Sequence, residues 1–394
     1  MPSNYTRNPL SFDLDRARQD TPGCHHQIHF NNAGASLMPT QVIKTVQSYF
    51  HFESLRGGYE AQRERKEQIQ DVYHSLACLI QCSPNEVAIV DHATRGWNII
   101  LSAFPFKKGG IILTSASEYA SNFISLLHLQ TQKEIKIKVI PNDDRGQLSL
   151  VALEETLDSL KERVQLIAIN HIPTNNGVVH PAQKVGKLAK RYGVAYLLDA
   201  CQSIGQLPLS VKEYGCDFLS TTSRKFLRGP RGLGFLYVNQ KYFQLLTPSH
   251  LDLRSAKWID HEKYKIEEDA RQFEMWEKNY AHVVGLGAAA EYALSWGLDS
   301  IWDQIQSRAQ KLRMQLSSIP NIRICDEGEV QCGIITFQLK GWKAQALSQV
   351  LDDHGINTSV SDEEDALTDM KNRGLQSMVR ASIHYYNSES EIKS

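Results

Sequence analysis

Apolar residues recur along this chain at two spacings, and the switches between them lay out alternating strands and helices. A turn and then a strand are predicted over 84–90, and further strands at 110–114, 135–140, 164–169, 195–198 and 235–238, that at 164–169 a continuous apolar run as buried strands show. Between them the apolar positions fall on helical spacing. Val42, Ile43, Val46, Tyr49 and Phe50 share one face after Pro39, and Ile69, Val72, Tyr73, Leu76 and Leu79 share another. Further helices are predicted at 99–104, 122–129, 150–160 and 182–192. Strands that alternate with helices in this way predict an α/β fold with a mostly parallel sheet covered on both faces.

The pattern changes after residue 238. Residues 241–280 are rich in charge and aromatics and read as a long, partly ordered connection. An Ala- and Gly-rich helix follows at 283–296, suited to close helix packing. Strands at 334–339 and 379–383 around a helix at 344–352 predict a smaller α+β domain. The expected division is an N-terminal arm over 1–27, a large domain over 28–255, and a connecting helix with the small domain over 256–394.

Composition narrows the class. A chain of 394 residues exceeds the usual size of a single core, which favours two domains. A net charge of −1 gives no electrostatic basis for nucleic acid or an anionic membrane as partner. No apolar run approaches the length of a membrane span, and the N-terminus lacks the apolar core of a signal peptide, so a cytoplasmic protein is expected. The seven cysteines show no CxxC pairing and read as buried thiols. The tract Cys24-His25-His26-Gln27-Ile28-His29 is rich in metal-binding types but has no acidic or cysteine partner nearby, so no metal is assigned.

Candidate chemistry collects just past the strand ends, where ligands bind in such sheets. Thr94, Tyr119, Thr174, Asp199 and Lys225 all fall there. A carboxylate at one strand end and a lysine beyond the next suit a cofactor held by Asp199 and bonded covalently by Lys225. The segment 92–98 sets hydroxyls at a helix start, which reads either as an anion site or as a plain N-cap by Thr94. Thr174 and Asn175 either contact a ligand or shape their loop. Arg228 and Arg231 either line an entrance or cap the glycine-rich turn at 229–234.

The stretches FNNAGAS (30–36), SEYASN (117–122), NHIPTNNGVVHP (170–181), LLDACQSIGQLPLSV (197–211), SRKFLRGPRGLGFLYV (223–238), FEMWEKNYAHVVGLGAAAEY (273–292) and RASIHYYNSESEI (380–392) resemble the class V aminotransferase family. These are enzymes of pyridoxal 5′-phosphate (PLP) with the fold-type-I architecture. Within it, RKFLRGPRG and the HIPTNNG loop are most similar to the branch of isopenicillin N epimerase-like proteins and hercynylcysteine sulfoxide lyases. The resemblance implies a large domain with a seven-stranded-type sheet, a homodimer, and these roles. Lys225 forms the Schiff base with PLP and shuttles the Cα proton. Asp199 pairs with the pyridinium nitrogen, Gln202 with the phenolic oxygen, and Tyr119 stacks on the ring. Thr94, Arg95 and Thr222 bind the phosphate, and Asn279 reaches the partner's phosphate across the dimer. Arg380 holds the substrate carboxylate, with Asn32 and Ala33 beside it.

Two departures bear on the reaction. Cysteine desulfurases of the family take up sulfur on a cysteine of a small-domain loop, whereas residues 333–394 here contain no cysteine. Arg224 also stands where desulfurases carry a histidine beside the lysine. The expected reaction runs through an external aldimine and a Cα carbanion to β-elimination, a C–S lyase acting on a cysteine conjugate or sulfoxide. An aminotransferase or epimerase is the enzymatic alternative, and a PLP-binding regulatory relative the non-enzymatic one.

Overall fold

The computed structural model describes residues 12–394. The first eleven residues of the expected arm therefore lie outside the described residues. The large sheet has seven strands, labelled here in chain order: β1 (Val87–Val90), β2 (Ile111–Ser115), β3 (Lys136–Ile140), β4 (Val164–Asn170), β5 (Ala195–Asp199), β6 (Phe218–Thr222) and β7 (Gly234–Val238). Their spatial order is β1-β7-β6-β5-β4-β2-β3, and only β7 runs against its neighbours. β4, β5 and β6 are almost wholly buried, as strands covered on both faces must be.

Register is what builds the site. Asp199 pairs with Asn170 on one side and Ser220 on the other, so β4 and β5 end together at one carboxyl edge and β6 runs two residues further. The turn after β6 carries Lys225 over that edge. Its seat is tight: a Cβ on Gly205, which has φ +77°, would lie 2.5 Å from Leu227 Cα.

A layer of helices covers one face. The Ala/Gly-rich helix Tyr280–Trp296 packs against Thr40–Arg56 and Lys66–Ile80. A Cβ on Gly287 would meet Val72 Cγ2 at 2.8 Å, which is the close approach its composition predicts. The helix ahead of the site begins at Ala93, earlier than apolar spacing suggests, because its first turn is polar. Residues 241–280 are more ordered than expected and include a hairpin, Ala256–Asp260 with Lys263–Ile266.

The second sheet is antiparallel, in the order Ile322–Ile324, Ile334–Leu339, Ser377–Ser382, Ser359–Asp362. Its two edge strands escape sequence detection because each is short and only half-buried. The strand Ile28–His29 pairs with Ile356–Asn357, which ties the N-terminal segment to the region of the second sheet. Among the described residues, no helix is long and apolar enough to cross a membrane.

Candidate active site

One cavity gathers Ala93, Thr94, Tyr119, Asn122, Asn170, Ile172, Thr174, Asp199, Cys201, Gln202 and Lys225. Six of the residues singled out from sequence are therefore neighbours, although they span 132 positions of chain from Thr94 to Lys225 inclusive. Asp199 lies on the floor. Its Oδ1 accepts the Cys201 amide N–H at 2.8 Å, and its Oδ2 accepts from Asn122 Nδ2 at 2.7 Å.

Behind it stands a group that sequence reasoning missed. Glu118 is buried and accepts four hydrogen bonds, from Tyr119 N–H (3.1 Å), Asn122 Nδ2 (2.9 Å), Asn170 N–H (2.9 Å) and the Thr114 hydroxyl (3.3 Å). Burial lifts its carboxyl to about 8 against the pull of those donors. Asn122 thus bridges two carboxylates and fixes the orientation of Asp199. The only sequence signal was the four-residue spacing of Glu118 and Asn122 across a helix start.

The amine of Lys225 makes no hydrogen bond or ion pair with the described residues, whereas its carbonyl accepts from Arg228 N–H at 2.9 Å. Burial lowers its pKa to about 8; Arg224 and Arg380 push the same way, and Cys201 and Asp199 oppose them. Gln202 donates to the Ala33 carbonyl at 3.2 Å, while its Oε1 is buried without a partner. Buried acceptors are normally satisfied, so this orphan marks a place where a ligand's donor fits. The set suits PLP: a carboxylate for the ring nitrogen, an amide for the phenolic oxygen, a tyrosine for a ring face, and an amine for the aldehyde carbon. Thr94 stands in the first turn of the helix Ala93–Ala103, where free N–H groups favour a phosphate. Thr94 does not cap this helix. The His92 ring nitrogen does, accepting from Arg95 N–H at 3.2 Å.

Arg380 is buried on the small sheet and reaches the cavity through Thr174. Its Nη1 donates to the Thr174 hydroxyl (2.6 Å) and carbonyl (3.1 Å), and its Nε to the Ser359 hydroxyl (3.0 Å). Its partners are all neutral oxygens, and Nη2 is bonded to none of the described residues. Burial lowers its pKa to about 10. Asn175 is held away from that group by Asp369, at 2.7 Å.

The remaining expectations fare differently. Asn32 donates to the carbonyls of His29 (3.2 Å) and Ser382 (2.7 Å) and accepts from the Tyr386 hydroxyl, so its amide is engaged inside the fold rather than free for substrate. Ala33 contributes backbone only, its N–H to Ser382 Oγ at 2.8 Å and its carbonyl to Gln202. Thr222 is buried and donates to the Leu233 carbonyl at 3.3 Å. Arg95 and Asn279 line a separate cavity with Phe50, Asp91 and Lys278, and Asn279 caps the helix Tyr280–Trp296 through His282 N–H. Within one chain neither belongs to the Lys225 cavity. Arg228 neither lines an entrance nor caps the glycine turn. It is buried beneath the lysine-bearing turn and bonds to Leu37, Tyr385 and Thr21.

Comparison with known proteins identifies the family and the fold. The aminotransferase class-V family profile matches residues 28–394. A probable cysteine desulfurase of Pyrococcus abyssi is 28% identical over 385 residues, covering 95% of this chain and 94% of the relative. The solved cysteine desulfurase of Thermococcus onnurineus superposes with a TM-score of 0.90 at 26% identity, over 96% of this chain and 95% of that one. A C-DES variant solved with glycine linked covalently to its PLP cofactor shares the fold, with a TM-score of 0.85 at 22% identity over 95% and 97% of the two chains. These relatives carry desulfurase or C-DES names, not those of the epimerase and sulfoxide lyase branch that the sequence motifs suggested.

Proposed function

Because the chain belongs to the class-V aminotransferase family and is a pyridoxal-phosphate enzyme, we propose that it is a C–S lyase that expels a sulfur-bearing group from Cβ of a cysteine-derived substrate. The observation that carries this reading is the combination of an unpaired, partly neutral Lys225 in a cavity with a small domain free of cysteine after residue 332. Relatives named for taking sulfur from cysteine support the sulfur chemistry.

PLP, when bound, supplies an electron sink that lets an amino acid release its Cα proton and then a group at Cβ. The chain's residues do the rest. Lys225, with a pKa of about 8, is partly neutral near pH 7 and takes the Cα proton. Asp199, oriented by Asn122 and the Cys201 N–H, holds a proton on the ring nitrogen. Arg380 takes the substrate carboxylate, sharing its donors with Thr174. Tyr119 covers one side, and the helix start at Thr94 receives the phosphate.

A sulfur acceptor is where this chain departs from a desulfurase with a mobile cysteine. Cys325 and Cys332 are buried, and the segment that follows presents Asp362 and Asp365 instead. The expelled sulfur therefore leaves to solvent as a thiolate or sulfenate. A homodimer belongs to the same reading: Asn279 is exposed and outside its own chain's site, as a residue serving a partner's phosphate would be.

Purified holoenzyme given S-substituted cysteines and cysteine sulfoxides is expected to release pyruvate and ammonia with the thiol or its oxidation product. Keto-acid-dependent amino transfer without pyruvate would instead make it an aminotransferase, and loss of optical activity alone would make it an epimerase.

A further inference from the structure

Glu118 lies behind the Lys225 cavity rather than in it, yet three of its four donor residues line that cavity: Tyr119, Asn122 and Asn170. It is 3% exposed, and among the described residues no cation pairs with it. A buried carboxyl without a cation is costly, and its four donors divide into two pairs. Oε2 accepts from Asn170 N–H and the Thr114 hydroxyl, which ties the ends of β4 and β2 together. Oε1 accepts from Tyr119 N–H and Asn122 Nδ2, both on the side of the site.

Asn122 gives both N–H groups of its amide to carboxyls, one to Glu118 Oε1 at 2.9 Å and one to Asp199 Oδ2 at 2.7 Å. The amide is planar, so anchoring one N–H aims the other. With the Cys201 N–H on Oδ1, both oxygens of Asp199 are then fixed in direction. The hold on Asn122 does not depend on the charge of Glu118. A proton on that carboxyl goes to Oε2, because the Thr114 hydroxyl is the one partner that can turn from donor to acceptor. Oε1 accepts from Asn122 in either state. Burial, seconded by the charge of Asp199, puts the change of state at about 8.

We propose that Glu118 is a positioning residue for the reaction: as acceptor for Asn122 it sets the direction of Asp199, and thereby keeps the proton on the ring nitrogen of PLP. The same oxygen holds Tyr119 N–H, so the floor and one side of the site share an anchor. A brace between strands would need only the bonds to Asn170 and Thr114.

This relay needs PLP but not the lyase reaction, so neither readout is turnover and a failed elimination leaves it standing. Apoprotein is titrated with PLP, and the absorbance of the loaded protein is followed against pH. A proton kept on the ring nitrogen repels a second one at the Lys225 nitrogen, so a loosened Asp199 raises the midpoint of that titration. Asn122→Ala is expected to weaken PLP binding about tenfold, as loss of a hydrogen bond to a charged group does. Its midpoint should rise by about one unit. Glu118→Ala should match it in both readouts, and the double variant should go no further than either, because the two residues act as one. Glu118→Gln turns its NH2 toward Thr114 and meets Asn170 N–H, which lowers the melting temperature. Its remaining oxygen still accepts from Asn122, so the midpoint should stay at the wild-type value. A midpoint in Glu118→Gln shifted as far as in Glu118→Ala would assign the effect to charge and overturn the relay. Losses that add in the double variant would overturn it too. Asn122→Ala leaves Glu118 three donors and carries the test where Glu118→Ala does not fold; an unmoved midpoint there would make Glu118 a brace alone.

Discussion

Two cations sit three residues apart in the turn after β6, and the fold treats them in opposite ways. Arg228 is buried with every part of its guanidinium in use: Nε to the Leu37 carbonyl at 2.8 Å, Nη1 to the Tyr385 hydroxyl at 2.6 Å, and Nη2 to the Thr21 hydroxyl at 2.5 Å. The rings of Tyr386, Tyr385 and Tyr292 lie 4.5, 5.2 and 5.6 Å from it. Its backbone is left-handed, with φ 63°, a strain of about 1–2 kcal/mol that those contacts offset. Lys225 has none of this. No described residue bonds to its amine, and burial depresses its pKa. Arg228 joins the arm, the entry loop and the C-terminal segment into one body, while Lys225 waits above an engaged carboxylate. A buried charge that is fully satisfied belongs to structure, and one left unsatisfied marks chemistry.

The hardest test of that contrast is Lys225→Ala. Loss of the base is expected to lower turnover by about 10²–10⁴-fold or more, while the melting temperature holds or rises because a poorly solvated amine is gone. A variant that loses activity only because it unfolds would place Lys225 with Arg228 as a structural cation. Arg228→Met is the converse. It strands the Thr21 and Tyr385 hydroxyls and the Leu37 carbonyl, and should cost about 3 kcal/mol in urea unfolding. Turnover per folded molecule should change far less than in Lys225→Ala. Full stability with a collapsed rate would erase the distinction.

The contrast also explains what could be read before the structure. Strand ends were legible because apolar runs stop abruptly there, and Asp199, Lys225, Tyr119, Thr94, Thr174 and Gln202 follow those stops into one cavity. The engagement of Asn32 within the fold was not legible because its small-residue context suits close backbone approach equally well whether the neighbour is substrate or Ser382. Arg228 was ambiguous because a sequence shows that a residue is charged but not what it meets. Its partners come from residues 21, 37 and 385, which only the tertiary fold unites. Glu118 was overlooked for the same reason: its four donors converge from separate elements. The edge strand Ser359–Asp362 was missed because a half-buried four-residue strand has too few alternations to register.

The finest test of the contrast is pH. An ordinary lysine is fully protonated near neutrality, whereas burial, aided by Arg224 and Arg380, brings Lys225 to about 8. A depressed lysine penalises the protonated folded state. Its cost to the apoprotein is therefore complete below about pH 8 and is relieved as pH rises toward the unfolded value of 10.5. The neutral amine is also the form that captures the aldehyde of PLP. The capture rate of the apoprotein, followed by absorbance, should rise about tenfold from pH 7 to pH 9 and level off above that. A solvated lysine would gain about a hundredfold over the same interval and still be climbing. Arg224→Gln and Arg380→Gln each remove a repelling charge and should move the midpoint upward by less than the whole depression, since burial is the main cause. A wild-type midpoint near that of free lysine would mean that water reaches the amine, and Lys225 would then differ from Arg228 in its partners alone, not in the work done to bury it.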